Sequence, residues 1–546
     1  MLPLSQRRQF KHFLLLGILF GAAVLRILGS YWGMPYIFHP DERFMISRGV
    51  HFFTLDFNPH LFIYPSLLMY ILFVVNVIVY VLGWISGHFE SILTFTALYQ
   101  SDPAVFYVPN RLVIALFGVL TVLFTYKLAR LRFSHSIALM AATLLAVLPV
   151  HVLHSHFVTT DVPCVLFVVI SLYYAAKILY STEIKNYLLA ALFAGLAAGI
   201  KYNGGAVVLC MVVAHALREW EAFDGSLWQR MWHAIKSCFN FKVILACFFS
   251  LVVFIASSPF VVLDFNSFLR EFVFQVSVQR RGHGLIFVGI DHKLLYEIFV
   301  VFRNWGGPLL LLGIFIGIIR SFLTLEPFKV LMLFWSGLYF IALLSSNDFF
   351  IRYTLLIIPP LLILTAELFV WALSRSRWMK WISGFLILIL GTFMLSYSII
   401  IVSRLVAEDP RITAKTWLER VVQDQERVGI MISSTGMQHH DDPPNDMERY
   451  EIIADKSLLN LLQESPEWLV ISRYDYVDFM RLGERYDFAR PTFLALKDLR
   501  TGKLNYDRIS IFDNTPKLFG INLLGRFPIH DMMYTFPRIE IYRKRK

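Results

Sequence analysis

The chain has 546 residues, of which 57% are hydrophobic and only 16% charged, an apolar share that excludes an ordinary soluble domain and suits a polytopic membrane protein. A formal net charge of +11 marks cytoplasmic loops in a protein of this class rather than a nucleic-acid surface. Cys164, Cys210, Cys238 and Cys247 show neither a disulfide framework nor zinc spacing.

The chain opens with Arg7, Arg8 and Lys11 ahead of an apolar run over 13–31, too long for a signal h-region, so an uncleaved first transmembrane helix is expected. Asp41 and Glu42 follow directly. An acid at a helix centre in lipid costs about 2.5–3.5 kcal/mol, so this pair must lie in water or in a polar site. On a helix the two side chains diverge by about 100 degrees, so one can accept a proton while the other orients a partner. Plain first-turn capping is the competing reading.

Apolar windows near the crossing length of about 20 residues fall at 12–32, 63–84, 111–130, 136–152, 162–180, 186–200, 202–217, 242–263, 296–319, 328–345, 353–373 and 380–402. Short cytoplasmic loops collect Lys and Arg. Lys127, Arg130 and Arg132, Lys185, Arg218 to Lys236, Arg320 and Lys329, and Arg375 to Lys380 all reach the cytoplasmic side only if 63–84 does not cross. We read that window as a juxtamembrane or re-entrant helix within one outer loop over 33–110, leaving about 11 spans; a twelfth crossing is the alternative. The same threading puts Asp41 and Glu42, 151–163, Lys201, 264–296, 347–352 and everything after Arg404 on one face.

On that face, Asp161 precedes Val162-Pro163, both a candidate acid and a fair helix start. His151, His154 and His156 form a cluster that is a weak metal candidate without a fourth partner. Lys201-Tyr202 and Arg352-Tyr353 hold cations at the edges of apolar stretches, either as snorkelling side chains or as partners for an anionic headgroup. A phosphate leaving group needs cations, and an attacking hydroxyl needs a carboxylate base; a lipid-linked phosphosugar would use both. No Walker or Rossmann phosphate loop is present. The tail has helical spacing at Ala414, Trp417, Leu418, Val421 and Val422, and strand-like runs at 428–433, 468–472 and 539–542, so a small α/β domain is expected. The run 441–445 interrupts it as a loop.

Pro40-Asp41-Glu42, Leu55 to His60 with Tyr64 to Leu67, Thr160-Asp161-Val162-Pro163, Gly195 to Tyr202, and Arg352-Tyr353 followed by prolines together resemble the GT-C glycosyltransferases of the protein O-mannosyltransferase superfamily, which includes the lipid A aminoarabinose transferase. The resemblance implies a mostly α transmembrane bundle over 1–403 with a small extracytoplasmic α/β domain over 404–546, in the plasma (bacterial inner) membrane. It implies inverting transfer from a polyprenyl-phosphate sugar to a lipid, glycan or protein acceptor hydroxyl. Asp41 matches the leading acid and is the expected base, assisted by Glu42, with Asp161 the acid of the second outer loop. Lys201 and Arg352 match positions for the lipid phosphate, and Tyr202, Tyr353, His60, Tyr64 and His156 complete the expected substrate-binding set. Metal use varies across this architecture, so a divalent cation stays open. The stretch 264–296 is too short for the insert domain of protein O-mannosyltransferases. A transporter or flippase of a lipid-linked sugar is the alternative activity, and the sequence lacks the internal repeat that many transporters carry.

Overall fold

The computed structural model describes residues 4–432, 450–525 and 528–545. The interrupting run expected at 441–445 lies outside them. Each of the eleven windows expected to cross falls on helical chain. Among the described residues, seven helices are long and apolar enough to span a bilayer, rising to nine if two sharply bent pairs each count as one; His135–Ala146 and Ile184–Ile200 are shorter apolar helices.

Two expectations need correction. The apolar stretch over 296–319 is not one straight rod: Lys293–Gly306 and Pro308–Leu323 meet at 114°. Gly307 takes φ +88 at the break, a conformation that glycine adopts without a Cβ penalty, and Pro308 then starts the next helix with its φ already set. The run 264–296 is not a plain loop either, because Phe265–Arg281 forms a 17-residue helix. Its exposed Leu269, Val273 and Phe274 recur at helical spacing, an apolar stripe of the kind a helix lays against lipid.

The window 63–84 forms the helix Leu67–Ile85. Its start packs on Gly199, near the end of Ile184–Ile200. Its middle is tied by Asn76, which accepts a hydrogen bond from Asn110 at 2.8 Å, near the start of Ala104–Arg130. Tyr80 packs on Phe95, which packs in turn on Phe53 and Phe106. Among the described residues, these contacts tie the helix to the end of Ile184–Ile200 and to the start of Ala104–Arg130.

Beyond the 30-residue helix Arg377–Val406 the chain forms a five-stranded sheet. Its strands are β1 (Arg427–Met431), β2 (Glu451–Asp455), β3 (Trp468–Ser472), β4 (Tyr506–Asp513) and, after a short ribbon of β5 (Lys517–Leu518) and β6 (Ile521–Asn522), β7 (Arg538–Lys544). The order is β2-β1-β3-β7-β4, with β1 parallel to β2 and β3, and β7 antiparallel to β3 and β4. Strand β3 is buried throughout because both faces are covered. Trp468 and Val470 meet Ala414 and Leu418 of the helix Pro410–Val421, while Leu469 and Ile471 meet helices from 458 to 500. Apolar residues on both faces give the continuous run that such a strand requires. β2 and β4 are edge strands with exposed, charged positions, the arrangement by which edges avoid pairing with other chains.

Candidate active site

Asp41 lies in the first turn of the helix Pro40–His51, which starts with proline at N1 and is capped by His39, whose Nδ1 accepts the Asp41 N–H at 3.2 Å. Asp161 occupies the first turn of Asp161–Ile178. Lys201 is the extended residue that ends Ile184–Ile200 before the 3-10 turn Tyr202–Val207. The chain can fold back here because Gly204 has no side chain; a Cβ there would sit 2.5 Å from Cys164 Sγ. Arg352 lies in the 3-10 segment Ile351–Ile357, which leads into a helix carrying Pro359 and Pro360.

These four side chains meet. Arg352 Nη2 is 3.3 Å from Asp41 Oδ2, and Arg352 Nε is 3.9 Å from Asp161 Oδ2. Lys201 Nζ donates to Asp161 Oδ1 at 2.7 Å. Tyr353 underlies both cations, its ring 4.3 Å from Lys201 Nζ and 5.3 Å from the Arg352 guanidinium. Tyr64 is half-buried within electrostatic reach of Asp41, Arg352 and Asp161, and desolvation, with Asp41 beside it, holds its phenol well above the ordinary range. Of the expected site residues, Asp41, Asp161, Lys201, Arg352, Tyr353 and Tyr64 therefore share one cluster. Asp41 retains 19% side-chain exposure and Arg352 only 9%.

Other expected members have different tasks. Glu42 is fully buried: Arg111 donates Nε to its Oε1 at 2.9 Å and Nη2 to its Oε2 at 2.7 Å, and the Val158 N–H donates to Oε1 at 2.9 Å. Arg111 Nη1 donates to the carbonyls of Ser30 and Trp32. Glu42 thus has the bonds of a structural clamp rather than a base. His156 is wedged between the carbonyls of Val152 and Leu28, each 2.8 Å from a ring nitrogen. The hydroxyl of Tyr202 donates to the Phe62 carbonyl at 2.9 Å. His60 lies beside Asp56 and His51. The candidate trio His151, His154 and His156 does not converge: His151 faces Arg26, His154 lies 3.9 Å from Asp531, and His156 faces backbone.

The largest omission is the contribution of the tail. The segment around His530–Met533 reaches into the cluster, where Asp531 accepts the backbone N–H groups of Ile351 at 3.4 Å and Arg352 at 3.1 Å. Its Oδ2 is 3.8 Å from Arg352 Nη1, and the same guanidinium donates to Tyr534 Oη at 3.4 Å. Arg411, paired with Asp409, donates to the Tyr534 carbonyl at 2.9 Å. Neither periodicity nor a motif singles out 530–534, because the signal is a fold contact between distant parts of the chain.

Burial raises the Asp531 carboxyl to about 6, although Arg352 and the two backbone donors pull the other way. A folded-state value above the unfolded one means that the native state holds the proton more tightly, so stability from this group grows as pH falls through about 6 and levels off near the ordinary 3.8. The thermal midpoint of the parent, measured against that of Asp531→Asn, should accordingly gain between pH 7.5 and pH 5. A gap independent of pH would contradict this.

Residues 104–257 match the family model described as dolichyl-phosphate-mannose-protein mannosyltransferase, a stretch that includes Asp161 and Lys201. Comparison with curated proteins by sequence gives no match. Among solved structures, the chain superposes on ArnT from Cupriavidus metallidurans in the apo state with a TM-score of 0.51 at 13% identity, covering 86% of this chain and 94% of that one. It superposes on the oligosaccharyltransferase AglB from Archaeoglobus fulgidus, solved with an inhibitory peptide and a dolichol-phosphate, with a TM-score of 0.51 at 11% identity, covering 94% and 74%. The chain has the GT-C glycosyltransferase fold. In this GT-C bundle, the acid after the first helix, the acid after the next helix pair and the two cations occupy one end, beside the docked C-terminal sheet domain.

Proposed function

We propose that the protein is an integral-membrane glycosyltransferase that moves a sugar from a polyprenyl-phosphate donor to an acceptor hydroxyl, with inversion. The observation that carries this reading is the contact of Asp41 with Arg352 in the same cluster as the Asp161–Lys201 pair. Lys201 and Arg352 neutralise the phosphate as it leaves, so no general acid is needed at that oxygen. Asp41 accepts the acceptor's proton as the new glycosidic bond forms on the opposite face of the anomeric carbon. Asp161 holds Lys201 in place, and Tyr353 supplies a face that favours both cations. The dolichol-phosphate carried by the AglB structure supports a lipid phosphate as the leaving group.

The cluster lies at the bundle end opposite the Arg- and Lys-bearing loops, where Arg132 bonds Glu326, and Arg320 and Lys329 flank Glu367. By the excess of basic residues in cytoplasmic loops, the active site and the domain after residue 404 face the extracytoplasmic side of a bacterial inner membrane. A site at the bundle edge favours transfer over transport, since transporter sites gather near the midplane.

Purified protein incubated with a panel of polyprenyl-phosphate sugars and a membrane-lipid extract should release polyprenyl phosphate and form a new glycoside. Lys201→Met should raise the donor KM by about tenfold or more, in keeping with loss of a charge-assisted contact of roughly 1.5–3 kcal/mol. Donor crossing of liposome membranes without any glycosidic bond would overturn the proposal in favour of a flippase.

A further inference from the structure

We infer that His51, Asp56 and His60 form a binding site for one divalent cation of the zinc type, separate from the Asp41–Arg352 cluster and independent of the proposed transfer reaction. Asp56 Oδ2 lies 2.8 Å from His60 Nε2 and 3.6 Å from His51 Nε2, and the three donor atoms lie within 4.8 Å of one another. The two nitrogen–oxygen separations bracket the edge of roughly 3.3 Å that a tetrahedral ion with bonds of about 2.0–2.1 Å imposes. Two imidazoles and one carboxylate are a characteristic zinc donor set, and they leave one position for water or another ligand.

Three further observations favour a cation here. His51 Nε2 is shielded from solvent and makes no hydrogen bond among the described residues, an arrangement that costs free energy unless something occupies the lone pair or the proton. His51 is the last residue of Pro40–His51, so the negative end of the helix dipole lies at the site. The loop that presents the other two ligands is also held in shape. The Asn58 N–H donates to Asp56 Oδ1 at 3.0 Å and the His60 N–H to Asn58 Oδ1 at 3.1 Å. Leu55 and His60 both take positive φ, 67 and 46, an uncommon conformation for side-chain-bearing residues that surrounding contacts must hold in place.

A bound ion would pin the loop over 52–60 to the end of the helix that begins with Asp41. The pinned loop is also fixed from outside, where Asn58 Nδ2 donates to Asp264 Oδ2 at 3.0 Å and Tyr70 Oη to the Phe57 carbonyl at 3.0 Å. From it the chain runs on to Tyr64 in the acidic and cationic cluster. The competing account is a hydrogen-bonded Asp56 shared by two protonated histidines, with no metal.

The test uses tag-free, chelator-stripped full-length protein in detergent, titrated with Zn2+ and followed by calorimetry and by metal content after desalting. One equivalent should bind, Mg2+ should not compete, and His51→Ala and His60→Ala should each weaken binding by about 100-fold or more, as loss of a direct ligand demands beyond the outer-shell range. Asp41→Asn should bind Zn2+ as the parent does. An anomalous-scattering peak between the three side chains would place the ion. Failure to retain stoichiometric zinc, or retention unchanged in both histidine variants, would overturn the inference. Retention of the parent's melting curve by His60→Gln in chelator shows that any loss of zinc is not a failure to fold.

Discussion

Asp41→Asn should lower turnover by a factor of about 100 or more, the range expected when a general base is removed, while the variant keeps the parent's melting temperature and affinity for polyprenyl phosphate. The geometry sets these expectations. Asp41 lies in a helical first turn, partly exposed, and its only ion-pair partner among the described residues is Arg352 at 3.3 Å. The isosteric amide keeps the shape and can still meet the guanidinium through its oxygen, but it cannot take a proton. A fully buried carboxylate that accepts three hydrogen bonds, two of them from one arginine, would behave differently, and Glu42 is such a group. Single-turnover rates measured across a range of donor concentrations separate the two contributions: a lower plateau with unchanged half-saturation supports the base, whereas loss of donor affinity alone would assign Asp41 to positioning Arg352.

The second large effect is expected at Glu42, in stability rather than chemistry. Glu42→Gln leaves Arg111, at 1% exposure, without its bidentate carboxylate, and uncovering one member of a buried pair costs about 3–5 kcal/mol. Arg111 also braces the turn after the first helix through the Ser30 and Trp32 carbonyls and lies against the Trp32 and Tyr107 rings. The loss should therefore spread to the segment that presents Asp41. The double variant Glu42→Gln with Arg111→Met should recover part of the lost stability, because it no longer leaves an unpaired charge buried. Activity should return with it when assayed below the melting transition. A double variant that is stable but as inactive as Asp41→Asn would make Glu42 a participant in the reaction.

The contrast between these neighbours shows how far residue patterns reach. Two acids after an apolar helix indicate a polar site, but Asp41 and Glu42 are equivalent in a string of letters. Their tasks separate only when the helix turns one toward Arg352 and the other toward Arg111, a residue 69 positions away. Lys201, Arg352 and Asp161 were legible because a charge interrupting an apolar stretch is costly and so informative. The basic-loop count reads the helix Leu67–Ile85 as juxtamembrane or re-entrant, although its length and hydropathy alone allow a crossing.

What escaped the sequence depends on long-range contact. Asp531 and Tyr534 lie more than 175 residues from Arg352, with separations of 179 and 182, and carry no periodic signal. Edge strands β2 and β4 escaped because their exposed charged residues break the apolar alternation by which β3 is recognised. His156 and Tyr202 belong to the substrate-binding set that the resemblance implies, yet each side chain turns to a backbone carbonyl instead. The break at Gly307 was hidden for a similar reason: hydropathy does not register a positive φ within an apolar run.

A structure of the full chain with polyprenyl phosphate tests the central claim most directly. The account predicts the phosphate between Lys201 Nζ and the Arg352 guanidinium, at charge-assisted hydrogen-bond distances of about 2.7–2.9 Å, with Arg352 drawn from Asp41 and the Asp41 carboxylate left open to an incoming hydroxyl. A phosphate bound elsewhere, with the Asp41–Arg352 and Asp161–Lys201 pairs undisturbed, would contradict it.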